Sequence, residues 1–116
     1  MEDSLITLLE TFKYPVMRQG SLAKNQEYPA TFITFWNNDE SAQSFYDNKT
    51  ASVVYDYSIN VYSTSPNTTY SLLDSIRLAL LQAGWIITDR GYDVASDEIT
   101  HTGRGLEAEF LQMQNL

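Results

Sequence analysis

Three side chains in the last quarter of the sequence have the chemistry of metal ligands or of an acid and base pair. They are Asp97, Glu98 and His101. Carboxylate and imidazole groups are adequate ligands for manganese, iron or zinc. Their spacing matches no established metal-binding motif, however, and a hydrogen-bonded loop histidine among solvated acids explains it better. We therefore predict no metal and no other cofactor.

The chain has few residues that could carry out nucleophilic catalysis. It contains no cysteine and a single histidine, so a Ser/His/Asp triad would need His101 as its base. The sequence has no Gly-x-Ser-x-Gly elbow to support such a triad, and Gly103-Arg104-Gly105 is too short to cradle a phosphate. These patterns predict that the protein is not an enzyme.

Composition and charge narrow the classes of protein further. The 116 residues, 43% of them hydrophobic, are typical of one domain spanning 1–116. Fifteen acidic against seven basic residues give a net charge of −8, which disfavours binding to a phosphate backbone. The longest apolar run, 78–81, is far shorter than the roughly 20 residues that cross a bilayer. We expect no membrane partner.

The remaining elements are organised around the stretch 52–63, whose side chains alternate between two faces. One face carries five large side chains, and the other carries mainly Asp56, Ser58 and Asn60. A period of two predicts a strand with one buried face. The large side chains are Val53, Tyr55, Tyr57, Ile59 and Val61.

Two segments have the apolar spacing of amphipathic helices, at about 3–13 and 67–83. Asp3 or Ser4 is a capping candidate for the first helix, and Gly84 suits the position after the second. We expect the second helix to pack on the large-residue face of the central strand. Its apolar stripe comprises Leu72, Leu73, Ile76, Ala79, Leu80 and Ala83.

Further strands are predicted on both sides of this pair. The stretch 31–36 is apolar on both faces, which fits either the middle of a sheet or a strand that meets another subunit. Polar, turn-forming residues predict a loop or hairpin tip at 37–50 and a turn at 103–105. We also predict a short strand at 16–19, extended structure at 85–88 and a closing strand at 105–113. The fold class is α+β, with a largely antiparallel or mixed sheet.

The order of the elements and several short segments resemble a known family. They resemble small tail-component proteins of long-tailed bacteriophages and prophages of Gram-positive bacteria, over almost the whole chain. The segments are Tyr14-Pro15-Val16, Gln19-Gly20-Ser21-Leu22, Tyr28-Pro29, Phe32-Ile33-Thr34-Phe35-Trp36-Asn37, Tyr46-Asp47-Asn48, Tyr57-Ser58-Ile59-Asn60-Val61-Tyr62-Ser63, Ala83-Gly84-Trp85, Asp93-Val94-Ala95-Ser96-Asp97-Glu98 and Thr100-His101-Thr102-Gly103.

The resemblance implies a structural role in the virion, in the tail or at the head–tail junction. Proteins of this kind complete or terminate tails, or join heads to tails, as rings of identical subunits between connector and tail tube. The expected partners are therefore other copies of the chain and neighbouring tail or connector proteins, with DNA passing through unbound. The alternative is a small acidic protein-binding domain that acts on a host protein, for example as a nucleic-acid mimic.

If the resemblance holds, contacts between subunits should come from the polar loop and from the aperiodic stretch 93–104. Basic side chains of one subunit would then face acids of the next and set the register of the ring. The candidate interface residues are Phe45, Tyr46, Lys49, Asp93, Asp97, Glu98, His101 and Arg104.

Overall fold

Two helices and five strands make up the described part of the chain. The structure, a computed structural model, describes residues 1–19, 28–46 and 49–113, leaving aside the side chains of 43–51. The elements in chain order are α1 (Glu2–Glu10), β1 (Val16–Arg18), β2 (Thr31–Tyr46), β3 (Lys49–Ser63), α2 (Pro66–Gln82), β4 (Tyr92–Val94) and β5 (Thr102–Met113).

The strands form one mixed sheet in the order β1-β2-β3-β5-β4. β1 runs parallel to β2, and the other neighbours are antiparallel. This confirms the predicted α+β class. Neither described helix is long and apolar enough to span a bilayer.

Both helices pack on the same face of the sheet, where they enclose the hydrophobic core. The predicted parity of β3 is confirmed for Tyr57, Ile59 and Val61, which are buried on that face, whereas Val53 and Tyr55 are half-buried. The stripe of α2 meets them there as predicted, except that its last member, Ala83, is exposed. The buried core comprises Leu5, Leu9, Ile33, Phe35, Tyr57, Ile59, Val61, Leu72, Leu73, Ile76, Leu80, Trp85, Leu106 and Ala108.

The ends of the helices follow local backbone chemistry. α2 starts after Ser65 with Pro66 in its first turn, and Gly84 follows its end at φ 96°, a conformation that glycine adopts without strain. α1 starts at Glu2, so the expected caps Asp3 and Ser4 lie inside its first turn. It also ends at Glu10 and not near 13, because the next amides bond three residues back and Lys13 turns to φ 66°.

The prediction of a loop or hairpin tip at 37–50 is right only in placing the end of a hairpin within this stretch, and it is wrong over most of its length. β2 continues to Tyr46 and β3 begins at Lys49, so the two strands form one long hairpin. Register shifts after Asn37 and after Ala42 interrupt the alternation of side chains. These irregularities, together with polar residues on both faces, remove the periodic signal on which a strand prediction depends.

The predicted turn at 103–105 is also wrong, because these residues lie inside β5. A Cβ atom on Gly103 would come within 2.8 Å of the Tyr62 ring and 2.7 Å of Val94, and one on Gly105 would come within 2.0 Å of the Asn60 amide oxygen. The two glycines therefore make room for side chains of neighbouring strands. From the sequence alone, glycines that make room for neighbouring side chains look the same as glycines that form a turn.

Two stretches join the sheet only in part. In the stretch 85–88, predicted to be extended, Ile86 joins the sheet, where its N–H and C=O bond Glu109 at 2.8 and 2.9 Å. The aperiodic stretch 93–104 belongs to the sheet at both ends, because Asp93 and Val94 lie in β4 and residues from Thr102 onward lie in β5.

Tyr57 carries a polar group into the core of the sheet. Its side chain is 1% exposed, its hydroxyl donates to the Glu2 carboxylate at 3.1 Å, and the Asn37 amide donates to it at 3.4 Å. Burial, together with the negative charges of Glu2 and Glu40, raises the pKa of Tyr57 from 10.0 to about 12. The neutral phenol is thus the form that the folded chain accommodates.

Alkaline titration should therefore destabilise the wild-type protein more than a Tyr57→Phe variant. The folded pKa of about 12 exceeds the unfolded value of 10.0, so this contribution is complete below pH 10.0 and is lost as the pH rises toward 12. One such group reduces the free energy of unfolding by at most about 1.4 kcal/mol per pH unit. Urea denaturation of both proteins across this range measures the difference, and parallel pH profiles would contradict the prediction.

Candidate functional site

The candidate interface residues do not form one cluster. The backbones of Phe45, Tyr46 and Lys49 lie at the far end of the β2–β3 hairpin, where Tyr46 is the partner of Lys49. Their side chains lie outside the described residues, so the expectation that Phe45 and Tyr46 contact a core or a partner stays a prediction. The other five candidates lie in β4, β5 and the segment between them.

Arg104 is held within its own chain. Its guanidinium pairs with the Asp93 carboxylate at 3.0 Å and lies 4.3 Å from the centre of the Tyr70 ring on α2. The side chain of Arg104 is 16% exposed, whereas that of Asp93 is 82% exposed. Arg104 therefore connects β5, β4 and α2, and a change to glutamate would place a second carboxylate beside Asp93. The pairing expected between subunits is already satisfied inside one subunit.

His101, just before β5, is hydrogen-bonded to the backbone of Pro29. Its Nε2 donates to the Pro29 carbonyl at 2.8 Å, which requires the proton on Nε2, and its Nδ1 can then accept from the Thr100 hydroxyl at 3.0 Å. The imidazole lies 5.8 Å from the Phe32 ring and 6.1 Å from the Tyr28 ring. These contacts give the histidine a structural role at the edge of an aromatic cluster.

The three side chains with the chemistry of metal ligands are not brought together as a metal site. Asp97 and Glu98 are exposed, and both ring nitrogens of His101 have hydrogen-bond partners. Over the described ranges, no group of three or more acidic or histidine side chains has the geometry of a metal site.

Manganese or zinc should consequently leave the melting temperature of the protein unchanged, because a ligand stabilises a fold only by binding it. A thermal shift assay with and without each ion measures this. The informative control is the double variant Asp97→Asn with Glu98→Gln, because it retains both hydrogen bonds of His101. A rise in melting temperature that this variant abolishes would establish a metal site and overturn the prediction.

A cavity of about 290 Å³ lies beside the aromatic cluster, on the face of the sheet that the helices do not cover. Phe32 and Tyr62 stack with their ring centres 5.2 Å apart and form part of its wall. The Thr34 hydroxyl donates to the Gln19 side chain at 2.6 Å beside them. The cavity is lined by Met17, Arg18, Gln19, Tyr28, Phe32, Thr34, Tyr62, Ala95, Ser96 and Asp97.

The second face of β2 is therefore used in two ways. Phe32 and Thr34 are 5% and 4% exposed, because the chain itself covers them, whereas Trp36 is 49% exposed. The strand lies inside the sheet between β1 and β3. This confirms the first interpretation of 31–36, a strand in the middle of a sheet. The other interpretation, contact with a partner, stays a prediction and concerns only the exposed Trp36 end.

The outer edge of β2 is the largest unpaired backbone surface in the described residues. β1 pairs with Ile33 to Phe35, where the Ile33 N–H donates to the Pro15 carbonyl and the Phe35 carbonyl accepts from Gln19. Beyond Phe35, no described strand pairs with this edge as far as Tyr46. Sequence reasoning misses this edge, because the polar residues at 37–50 predict a loop or hairpin tip.

Comparisons with known proteins leave the family open. The scan against protein-family models produced no match, and the search of curated proteins produced none. The functional assignment therefore depends on the geometry of the chain and on the resemblance of its sequence segments.

Proposed function

We propose that this protein is a structural subunit of a long-tailed phage virion, assembling into a ring at the tail end or at the head–tail junction. The resemblance of its sequence segments to small tail-component proteins supports this proposal. The order of one helix, a long hairpin, a second helix and closing strands fits the same class of protein. The proposed role is structural, with assembly as the activity.

The free edge of β2 is the observation that carries the proposal. Unpaired N–H and C=O groups on an edge strand are a ready template for pairing with another chain. Among the described residues, this edge is free from Trp36 to Tyr46, along a molecule that measures 53 × 29 × 22 Å. The exposed acids Asp39 and Glu40 lie on it and would oppose pairing with an arbitrary strand. Such an edge favours a specific partner.

A ring also needs a second, different surface on each subunit. Head-to-tail contacts close into a ring only when two unlike patches are complementary. The opposite side of the sheet ends at β4, a strand of three residues, and at Ile86 beside β5. Pairing of β2 of one subunit with the β4 side of the next would continue the sheet around the ring. The net charge of −8 would keep DNA from adhering as it passes through.

Hydrogen exchange along β2 tests this assembly directly. Antiparallel pairing directs alternate amides of a strand to each side, so about half of the amides in 37–42 should exchange quickly in the monomer. In the ring these amides should become protected. The stretch 57–63, already paired on both sides, serves as the internal control and should not change.

Two results would count against the proposal in different ways. A ring that forms without added protection at 37–42 would place the contact elsewhere and remove the β2 edge from the account. Failure to form any oligomer, either at high concentration or on isolated tails, would contradict the assembly function itself.

A further inference from the structure

The face of the sheet opposite the helices carries a strip of aromatic and acidic side chains. The cross-strand register sets its order, since Trp36 is the partner of Ser58, Ser58 of Glu107, and Asp56 of Glu109. Ile86, which pairs with Glu109, flanks the strip, and Tyr92 lies near Glu107. We call this surface the acidic–aromatic strip and define it as Trp36, Asp56, Ile86, Tyr92, Glu107 and Glu109.

Asp56 and Tyr92 have side-chain partners in the described part of the chain, with Asp56 accepting from Asn38 at 3.4 Å and Tyr92 hydrogen-bonded to Ser58, but the Trp36 ring and the Glu107 and Glu109 carboxylates have none. Trp36 is 49% and Ile86 54% exposed, and the Trp36 ring contacts no other described ring or cation. The carboxylates of Glu107 and Glu109 have no ion-pair or side-chain hydrogen-bond partner among the described residues. A sheet face that exposes a tryptophan beside unpaired acids has both an apolar surface and negative charge available for a ligand.

We propose that the acidic–aromatic strip docks an extended segment of a different protein in which arginine or lysine alternates with small residues. Residues two apart on a strand are roughly 7 Å apart and point the same way. Glu107 and Glu109 have this spacing along β5. Alternate basic residues of an extended segment would therefore meet them in turn, while a guanidinium could lie on the Trp36 ring two strands away.

Charge argues for a different protein as the occupant and against a second copy or DNA. Three of the described arginines, Arg18, Arg77 and Arg104, are already paired with acids of the same chain. Lys13 and Arg90 are the other described basic side chains. They are far apart in the sequence, so they cannot belong to one extended segment with alternating basic residues. DNA carries the same sign of charge as the strip and would be repelled.

The test is the binding of a fluorophore-labelled short peptide of alternating Arg and Thr to the monomeric protein, measured by anisotropy. A peptide of the same composition with its arginines in one block is the matched control for spacing. The alternating peptide should bind more tightly. Trp36→Ser should raise its Kd by about threefold or more, and Glu107→Gln with Glu109→Gln by about fivefold or more.

Matched variants elsewhere on the surface separate docking from general attraction to an acidic protein. Asp97→Asn with Glu98→Gln makes the same change of charge away from the strip, and Leu78→Ser removes an exposed apolar side chain from α2. Both should leave the Kd unchanged. Equal weakening by the two acid pairs, equal binding of the two peptides, or no effect of Trp36→Ser would overturn the proposal.

Calcium provides a further check, since competition by calcium that requires Glu107 and Glu109 would assign the strip to a cation and also overturn the inference. Because binding is measured on the monomer, the result does not depend on ring assembly. If the peptide binds as expected but deletion of the gene leaves particle yield normal, the proposed function is refuted and this inference still holds.

Discussion

Replacing Leu80 by alanine should lower the free energy of unfolding by about 2 to 5 kcal/mol, the range for a leucine removed from a packed core. The side chain of Leu80 is 0% exposed and lies in the core cluster between α2 and the sheet. Removing it takes three carbons from contact with their neighbours and leaves a cavity. Because α2 covers the face of β3, the loss should appear as destabilisation of the whole domain.

The next residue along the helix is the matched control. Leu81 is 40% exposed, so Leu81→Ala makes the same chemical change on the solvent side of α2. It should cost a small fraction of the Leu80→Ala loss. Urea denaturation measures both variants. A loss under about 0.5 kcal/mol for Leu80→Ala would mean that the stripe of α2 is not buried against the sheet.

The parts of the fold that the sequence predicted are those in which one face is strongly apolar. β3 alternates large and polar side chains through Tyr57, Ile59 and Val61, and α2 repeats leucine and isoleucine at helical spacing. Each pattern reports which side of its own element is buried, so each can be read without knowledge of the partner. Their mutual packing then follows, because each apolar face needs the other to leave water.

The far half of the hairpin was not predictable in this way. From Asn37 to Ser41 β2 carries polar residues on both sides, and it is a strand because β3 pairs with it. Such pairing depends on distant backbone, which leaves no periodic trace in a polar segment. The free edge that carries the proposed function was hidden for this reason.

The candidate site shows the same division. That Asp93 and Arg104 carry opposite charges is evident from the sequence, but their pairing within one chain depends on the register of β4 against β5. Gly103 looked like a turn because the Tyr62 ring that occupies its Cβ space lies on another strand. Residue types therefore indicated where charged and aromatic contacts occur, and topology decided which partner each residue has.

Deleting the gene in a phage that encodes this protein should prevent the formation of joined, infectious particles. A ring at the tail end or the junction is required once per particle, so its loss cannot be offset by the abundance of other components. We expect filled heads and free tails, or tails of irregular length, to accumulate. A plasmid copy of the wild-type gene should restore infectivity.

Complementation by variants connects this phenotype to the structure. Leu81→Ala, a surface change on α2, should restore joined particles as the wild type does. A variant that pairs poorly along the β2 edge, and whose melting temperature equals that of the wild type, should not. Arg104→Glu is unsuitable as an interface variant, because Arg104 pairs with Asp93 inside the subunit.

The most direct measurement of the assembly function is therefore the yield of infectious particles from the deletion lysate, counted by plating and examined by electron microscopy. The proposed function predicts infectious titre at background, with heads and tails present but unjoined or tails of abnormal length, and full recovery with the wild-type gene. Normal numbers of joined, infectious particles from the deletion lysate would contradict it.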